Sequence, residues 1–160
     1  MEGRGLLTHQ VVSILRPARI EDLEAIVGLC AEHAAFERAP FHAEHAQRAL
    51  GRFLFGEPPR AWCIVAEVDS ILVGYATFSL EFSTWRAAEY VHMDCLFVKS
   101  DYRNAGLGRQ LIESVGRAAL ARGGQHVEWQ TPSWNAGAIR FYDRLGATGN
   151  HKVRYQWKPC

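Results

Sequence analysis

The stretch from Tyr90 to Arg122 constrains this chain most, because an apolar run ends there in the turn Arg103-Asn104-Ala105-Gly106-Leu107-Gly108 and passes into an amphipathic segment. The run Val91-His92-Met93-Asp94-Cys95-Leu96-Phe97-Val98 is too apolar and too short for an exposed helix, and with Lys99-Ser100-Asp101 closing it, the pattern predicts a mostly buried strand. Past the turn, Leu107, Leu111, Val115 and Ala118 recur at helical spacing with Ile112 and Ala119 beside them. Arg109, Gln110, Glu113 and Arg117 take the other face, and Gly123-Gly124 supplies the stop. The turn therefore opens a helix, where unpaired N–H groups and the positive end of the dipole form an anion site. Gly106 and Gly108 lack side chains that would hold a phosphate off those groups, and Arg103 and Arg109 add positive charge. Six residues alone also fit an ordinary glycine turn opening a packed helix, so the rest of the chain has to decide.

A length of 160 residues suits one domain, 1–160, with residues 1–10 expected as a flexible tail. With 48% hydrophobic and 22% charged residues the composition is that of a soluble globular protein. A net charge of +1 gives no strong basic field, which disfavours nucleic acid as a partner. Met1 to Arg16 has no long apolar core, and no segment is long enough to span a bilayer, so a cytoplasmic location and no membrane partner are expected. Cys30, Cys63, Cys95 and Cys160 are scattered without a C-x-x-C pair, which argues against a disulfide framework or a metal site. Three should pack as small hydrophobes, with Cys160 a tail thiol.

Taken in order, Val11–Leu15 reads as a first strand ended by Arg16-Pro17. Leu23, Ile26, Val27, Cys30, Ala31 and Ala34 fit the helical template, with Glu21, Asp22 and Glu24 complementing the dipole. Residues 36–41 break that helix, and a second runs from about Ala43 to Phe55 with Ala46, Leu50, Phe53 and Leu54 inward. Ala61–Val68 and Ile71–Leu80 flank the turn signal Asp69-Ser70 as an antiparallel hairpin. Val127–Thr131 is a fifth strand, Ala136–Leu145 a last helix with Gly146 at its C-terminus, and Val153–Trp157 an alternating closing strand. The result is an α/β chain with a mixed central sheet and helices on both faces, in the order β1-α1-α2-β2-β3-β4-α3-β5-α4-β6/7.

Asn135 and Tyr142 stand two helical turns apart and share one face of the last helix. Asn135 is also a natural N-cap, and Tyr142 a plausible core ring. The turn 103–108 after a strand, followed by Trp134-Asn135, Ala138, Phe141-Tyr142 and Leu145-Gly146-Ala147, resembles the GNAT N-acetyltransferase superfamily, whose element order agrees from Val11 to Trp157. Within it, Ala66-Glu67-Val68, Phe82-Ser83-Thr84-Trp85, Ser100-Asp101-Tyr102-Arg103, Trp134-Asn135 and Phe36-Glu37 are similar to the diamine (spermidine/spermine) and thialysine acetyltransferases.

The resemblance implies acetyl-CoA as cosubstrate, with its pyrophosphate held by Arg103, Asn104, Ala105, Gly106, Leu107, Gly108 and Arg109. It implies a pantetheine arm laid against the backbone of Leu96, Phe97 and Val98 like an added strand, with Asn135 contacting the arm and Arg144 reaching phosphate. The implied acceptor is the primary amine of a small molecule (diamine, polyamine, amino acid or amine antibiotic), attacking the thioester directly through a tetrahedral intermediate. Such an amine must lose a proton first, the oxyanion needs a donor such as a backbone N–H of the central strand near Cys95 or Leu96, and the thiolate needs a proton, which Tyr142 would supply. The base is left open between Asp94, His92 two residues earlier, and an ordered water. Asp94 also reads as an arginine partner and His92 as a hydrogen-bonded strand residue. Phe36, Glu37, Trp85 and Asp94 are expected at the acceptor, and a homodimer is implied by the same likeness. Asn104 stands where many members have glycine, and Asn tolerates left-handed angles. Cys95 stands where the polyamine enzymes carry an acid. A protein amine or aminoacyl-tRNA acceptor, or a non-catalytic acyl-CoA sensor, is the alternative.

Overall fold

Two residues with positive φ, Asp69 (50°) and Ser70 (63°), join β2 (Trp62–Val68) to β3 (Ile71–Ser83). This is the mirror-image turn whose twist matches the flanking strands. The structure, a computed structural model, describes residues 13–159; the tail 1–10, the Val11 and Val12 of the first expected strand, and Cys160 lie outside the described residues. The chain divides into two compact units, Met1–Trp129 and Gln130–Cys160.

The first unit holds a five-stranded sheet in the order β1-β2-β3-β4-β5, with β1 Ser13–Pro17, β4 Ala88–Val98 and β5 Val127–Glu128. β4 and β5 are parallel and the other pairs antiparallel. β1 includes Arg16 and Pro17, two residues beyond the expected end at Leu15; as an edge strand it tolerates the missing proline N–H. Arg16 forks onto Asp22 (2.6 Å) and Glu67 (2.7 Å), tying β1, the start of the first helix and β2 together. The Arg16 guanidinium holds the Asp22 carboxyl below its usual range.

Helix α3 (Leu107–Leu120) lies on one face of the sheet, and α1 (Leu23–Phe36) with α2 (Ala43–Phe55) on the other. Leu107, Leu111, Val115 and Ala119 pack with Ile64, Ala66, Val73, Phe78, Val91 and Met93. Each fully buried Leu or Val there contributes roughly 1.5–3 kcal/mol. On the other face Ile26, Leu29 and Leu54 meet Cys63, Val65, Leu72, Tyr75 and Phe97. Gly74 lets β4 approach closely, since a Cβ there would lie 2.8 Å from the Phe97 carbonyl oxygen.

β4 carries a bulge. Thr77 faces Cys95 and Phe78 faces Met93, so Asp94 is the extra residue. Before it, Val91 and Met93 pack beneath α3. After it, the alternation is inverted, with Cys95 and Phe97 beneath α1 and α2 and Leu96 and Val98 against the α3 layer. The expected mostly buried strand is therefore buried in part, with Val91, Met93 and Phe97 inside and Asp94 exposed.

Two strand expectations are corrected. β5 ends at Glu128 rather than Thr131, because its ladder reaches just Val91 and His92 of β4. In the second unit, α4 (Ala136–Leu145) forms as expected between Asn135 and a left-handed Gly146 at φ 84°, but Val153–Trp157 is not a strand. An alternating segment gains strand structure by pairing. No ladder reaches this one among the described residues, and Val153, Tyr155 and Trp157 are exposed.

Candidate active site

The turn before α3 has the backbone of an anion cradle. Asn104 (φ 65°) and Gly106 (φ 82°) are both left-handed, Gly106 is the N-cap, and no side chain caps the helix. Its first turn contains no acidic residue. Leu107 is buried and anchors the helix, while Ala105 and Gly106 are exposed and Gly108 is half-buried. The first N–H groups therefore remain for a ligand. Arg109 forms a loose 3.6 Å pair with Glu113, both about half exposed, an arrangement that water screens.

Arg103 does more than add charge. Its Nε donates to the Val98 carbonyl at 2.8 Å, and its guanidinium lies over the rings of Phe36 (5.0 Å) and Phe97 (5.6 Å). It braces the turn against the end of β4 and the end of α1. Phe36 is the last residue of α1 and Glu37 its C-cap, so neither lies in a free interhelical loop as expected. The Val98 carbonyl already has this donor, which narrows the expected backbone contact with an arm to Leu96, Phe97 and the remaining Val98 groups.

From Met93 to Val98, β4 is paired to β3 on one edge, and among the described residues no strand pairs the other, since β5 covers Val91 and His92 alone. The bulge at Asp94 interrupts the ladder at the head of this edge. Asp94 is exposed and accepts a long hydrogen bond from the Cys95 thiol (3.6 Å). His92 lies opposite Ser79 and Glu128, half-buried.

On the α1 side, the structure brings Tyr75 and His33, which sequence reasoning missed, together with Glu37. Tyr75 packs in one cluster with Cys30 and Cys95, and its hydroxyl lies 3.0 Å from His33 Nδ1. His33 stacks on Phe97 (5.1 Å, 24°) and places Nε2 3.5 Å from Glu37 Oε1. Burial pushes the Tyr75 hydroxyl far up, holds the Cys95 thiol up at about 12, and holds the His33 imidazole below its ordinary value. A tyrosine that keeps its proton donates to Nδ1, and the carboxylate at Nε2 fixes the other nitrogen as the donor. Cys30, Cys63 and Cys95 pack as small hydrophobes in this cluster, as expected, with Cys30 and Cys95 near the Tyr75–His33 pair. The signal was present in the sequence as Cys30, His33 and Glu37 on one helical face. Trp85, expected at the acceptor, is 100% exposed in the β3–β4 connection.

In the second unit, Asn135 caps α4 by accepting from the Ala138 N–H at 3.1 Å, so its oxygen is engaged and its side-chain NH2 is the group left to contact a ligand. Tyr142 is half-buried with its ring 5.2 Å from Phe141. Arg144 is exposed in the last turn, where its charge complements the dipole. A cavity of about 500 Å³ in the first unit lies elsewhere, lined by Arg16, Asp22, Glu32, Glu67 and Lys99. Its cations already pair with those carboxylates, Lys99 with Glu32 at 3.1 Å.

The sequence model of the Acetyltransferase (GNAT) family matches residues 21–147. A thialysine N-epsilon-acetyltransferase of Mus musculus is 31% identical over 141 residues, covering 83% of this chain and 82% of its own. An L-ornithine N5-acetyltransferase of Arabidopsis thaliana is 29% identical over 92 residues, covering 58% of this chain and 39% of its own. Among solved structures, an aminoglycoside N-acetyltransferase in complex with CoA superposes with a TM-score of 0.83 at 19% identity, covering 97% of this chain and 100% of its own.

Proposed function

Since this chain belongs to the acetyltransferase (GNAT) family, and is thereby an N-acetyltransferase with relatives that acetylate small amines, we propose that it moves an acetyl group from acetyl-CoA to the primary amine of a small molecule. The observation that carries this reading is the bulge at Asp94, which interrupts β4 just ahead of an edge that runs into an uncapped, arginine-flanked helix start.

Acetyl-CoA, when bound, supplies an activated acetyl thioester. The residues fit it. The N–H groups at the head of α3, with Arg103 and Arg109, suit a pyrophosphate. The open edge at Leu96 to Val98 suits an amide-bearing arm, and the Asn135 side-chain NH2 and Arg144 are assigned to the same ligand. Asp94, exposed beside its thiol neighbour, takes the proton of the acceptor ammonium directly or through water, with His92 the other base. The β4 backbone N–H near Cys95 or Leu96 faces the developing oxyanion, and Tyr142 gives a proton to the departing sulfur. Phe36, Glu37 and Trp85 form the acceptor side. The match of the family model across residues 21–147 supports reading both units as one catalytic domain. A cytoplasmic homodimer belongs to the same reading, supported by the family likeness.

Purified protein with acetyl-CoA and a panel of diamines, polyamines, amino acids and aminoglycosides, followed by free-thiol release, tests this. Amine-dependent release is expected. Coenzyme A binding by calorimetry without transfer to any amine would overturn catalysis in favour of a sensor, and no binding would remove both.

A further inference from the structure

His33 has contacts that neither the family likeness nor the reaction above requires. It sits in α1 with Tyr75 of β3 at Nδ1, Phe97 of β4 against its ring, and Glu37 of the α1 C-terminus at Nε2. Asp94 of β4 and Arg103 of the turn act on it through their charges, and Cys30 and Cys95 pack in the same cluster as its tyrosine partner. One imidazole therefore contacts Glu37 of the acceptor side and feels the charges of Asp94 and of the arginine assigned to the cosubstrate side.

We propose that His33 is a positioning and specificity-determining residue. As a neutral ring it holds Glu37 toward a cationic acceptor, and as an imidazolium it competes with that acceptor for the negative charge of Glu37 and Asp94. This rests on the acceptor lying beside Asp94.

With Tyr75 donating to Nδ1, neutral His33 presents Nε2–H to Glu37 and adds no charge of its own. The ring stays neutral at neutral pH because burial, helped by Arg103, outweighs the pull of Glu37 and Asp94. Acidification then introduces a fixed positive charge beside Glu37 and within the field of Asp94, the carboxylates that an alkylammonium would otherwise pair with. The effect falls on acceptor affinity, because Glu37 and Asp94 are the carboxylates assigned to the acceptor, whereas the pyrophosphate is assigned to the N–H groups at the head of α3. By linkage, an ammonium bound at those carboxylates lowers the proton affinity of His33 by the same factor.

The test uses the full chain and the panel amine with the highest turnover. Acceptor KM, acetyl-CoA KM and kcat are measured from about pH 8 down to about pH 5.5, spanning the ordinary imidazole range, for wild type and His33→Gln. Wild type should show a rise in acceptor KM on acidification about fivefold larger than the variant shows, the scale of one partly exposed charge contact, and acetyl-CoA KM should not share it. An acceptor KM profile unchanged in His33→Gln overturns the inference while leaving the acetyltransferase reading intact. Turnover absent with every amine overturns both. Independently of any variant, the His33 ring followed by NMR in wild type should titrate at lower pH when that amine is added, and an unmoved or raised midpoint is a second way to overturn it.

Discussion

The two faces of the sheet are built from different chemistry. Beneath α3 the packed cluster is apolar, from Ile64 and Phe78 to Leu111 and Val115, and the buried Ser114 of α3 accepts from Arg117 of its own helix. Beneath α1 and α2 the layer contains Cys63, Tyr75 and Cys95, with Cys30 and His33 joining them. An apolar face can be stabilised by area alone, whereas a buried polar face is stable just so far as each group finds a partner. No buried side-chain N or O atom among the described residues is left without one. The first face holds the sheet, and the second holds titratable groups in fixed positions beside an exposed carboxylate.

Four substitutions break or sharpen that contrast, from the largest effect downward. Asp94→Asn should lower kcat/KM for the amine by about 10²-fold or more while leaving coenzyme A affinity in place, as expected for a lost proton acceptor; unchanged kinetics would transfer the role to His92. Leu111→Ala, at a position with 0% exposure, should cost about 2–5 kcal/mol in denaturant unfolding, with little change in turnover per folded molecule. If turnover collapsed with stability intact, the α3 face would not be purely structural. Tyr75→Phe is nearly isosteric and leaves His33 Nδ1 unsatisfied, which should cost roughly 1–3 kcal/mol and shift the pH dependence of acceptor KM. A loss of stability with no change in that profile would make the polar network structural. Arg109→Ala removes a screened pair with Glu113 worth no more than about 0.5 kcal/mol, so stability should barely move, while calorimetry should show weaker coenzyme A binding.

The acid response of the polar face has a defined sign. His33 is held below its ordinary value by burial, so an unfolded chain binds that proton more readily. Its contribution to stability is complete above the ordinary imidazole value of about 6.5 and is lost as pH falls below it.

Local features were legible in the sequence because neighbours in the chain create them. Asn135 and Gly146 bound α4 as capping chemistry requires. The turn 103–108 needed left-handed angles at Asn104 and Gly106, and both residues adopt them. Asp69-Ser70 made its hairpin. Strand ends were less legible: β5 stops at Glu128 and Val153–Trp157 does not pair, because a strand's length is set by the partner's ladder and not by its own alternation.

The sequence by itself thus determined an apolar strand feeding a glycine turn, a helix start able to hold an anion, and the order of elements around it, since each follows from spacing within a few residues. Tertiary structure decided that Asp94 is the residue β4 cannot pair, that Cys95 and Phe97 are turned to the α1 side, and that His33 meets Tyr75 across 42 positions of sequence. Those facts depend on the register between strands and on which helix lies over which face. One-residue differences in register exchange the two faces, and no local pattern encodes them.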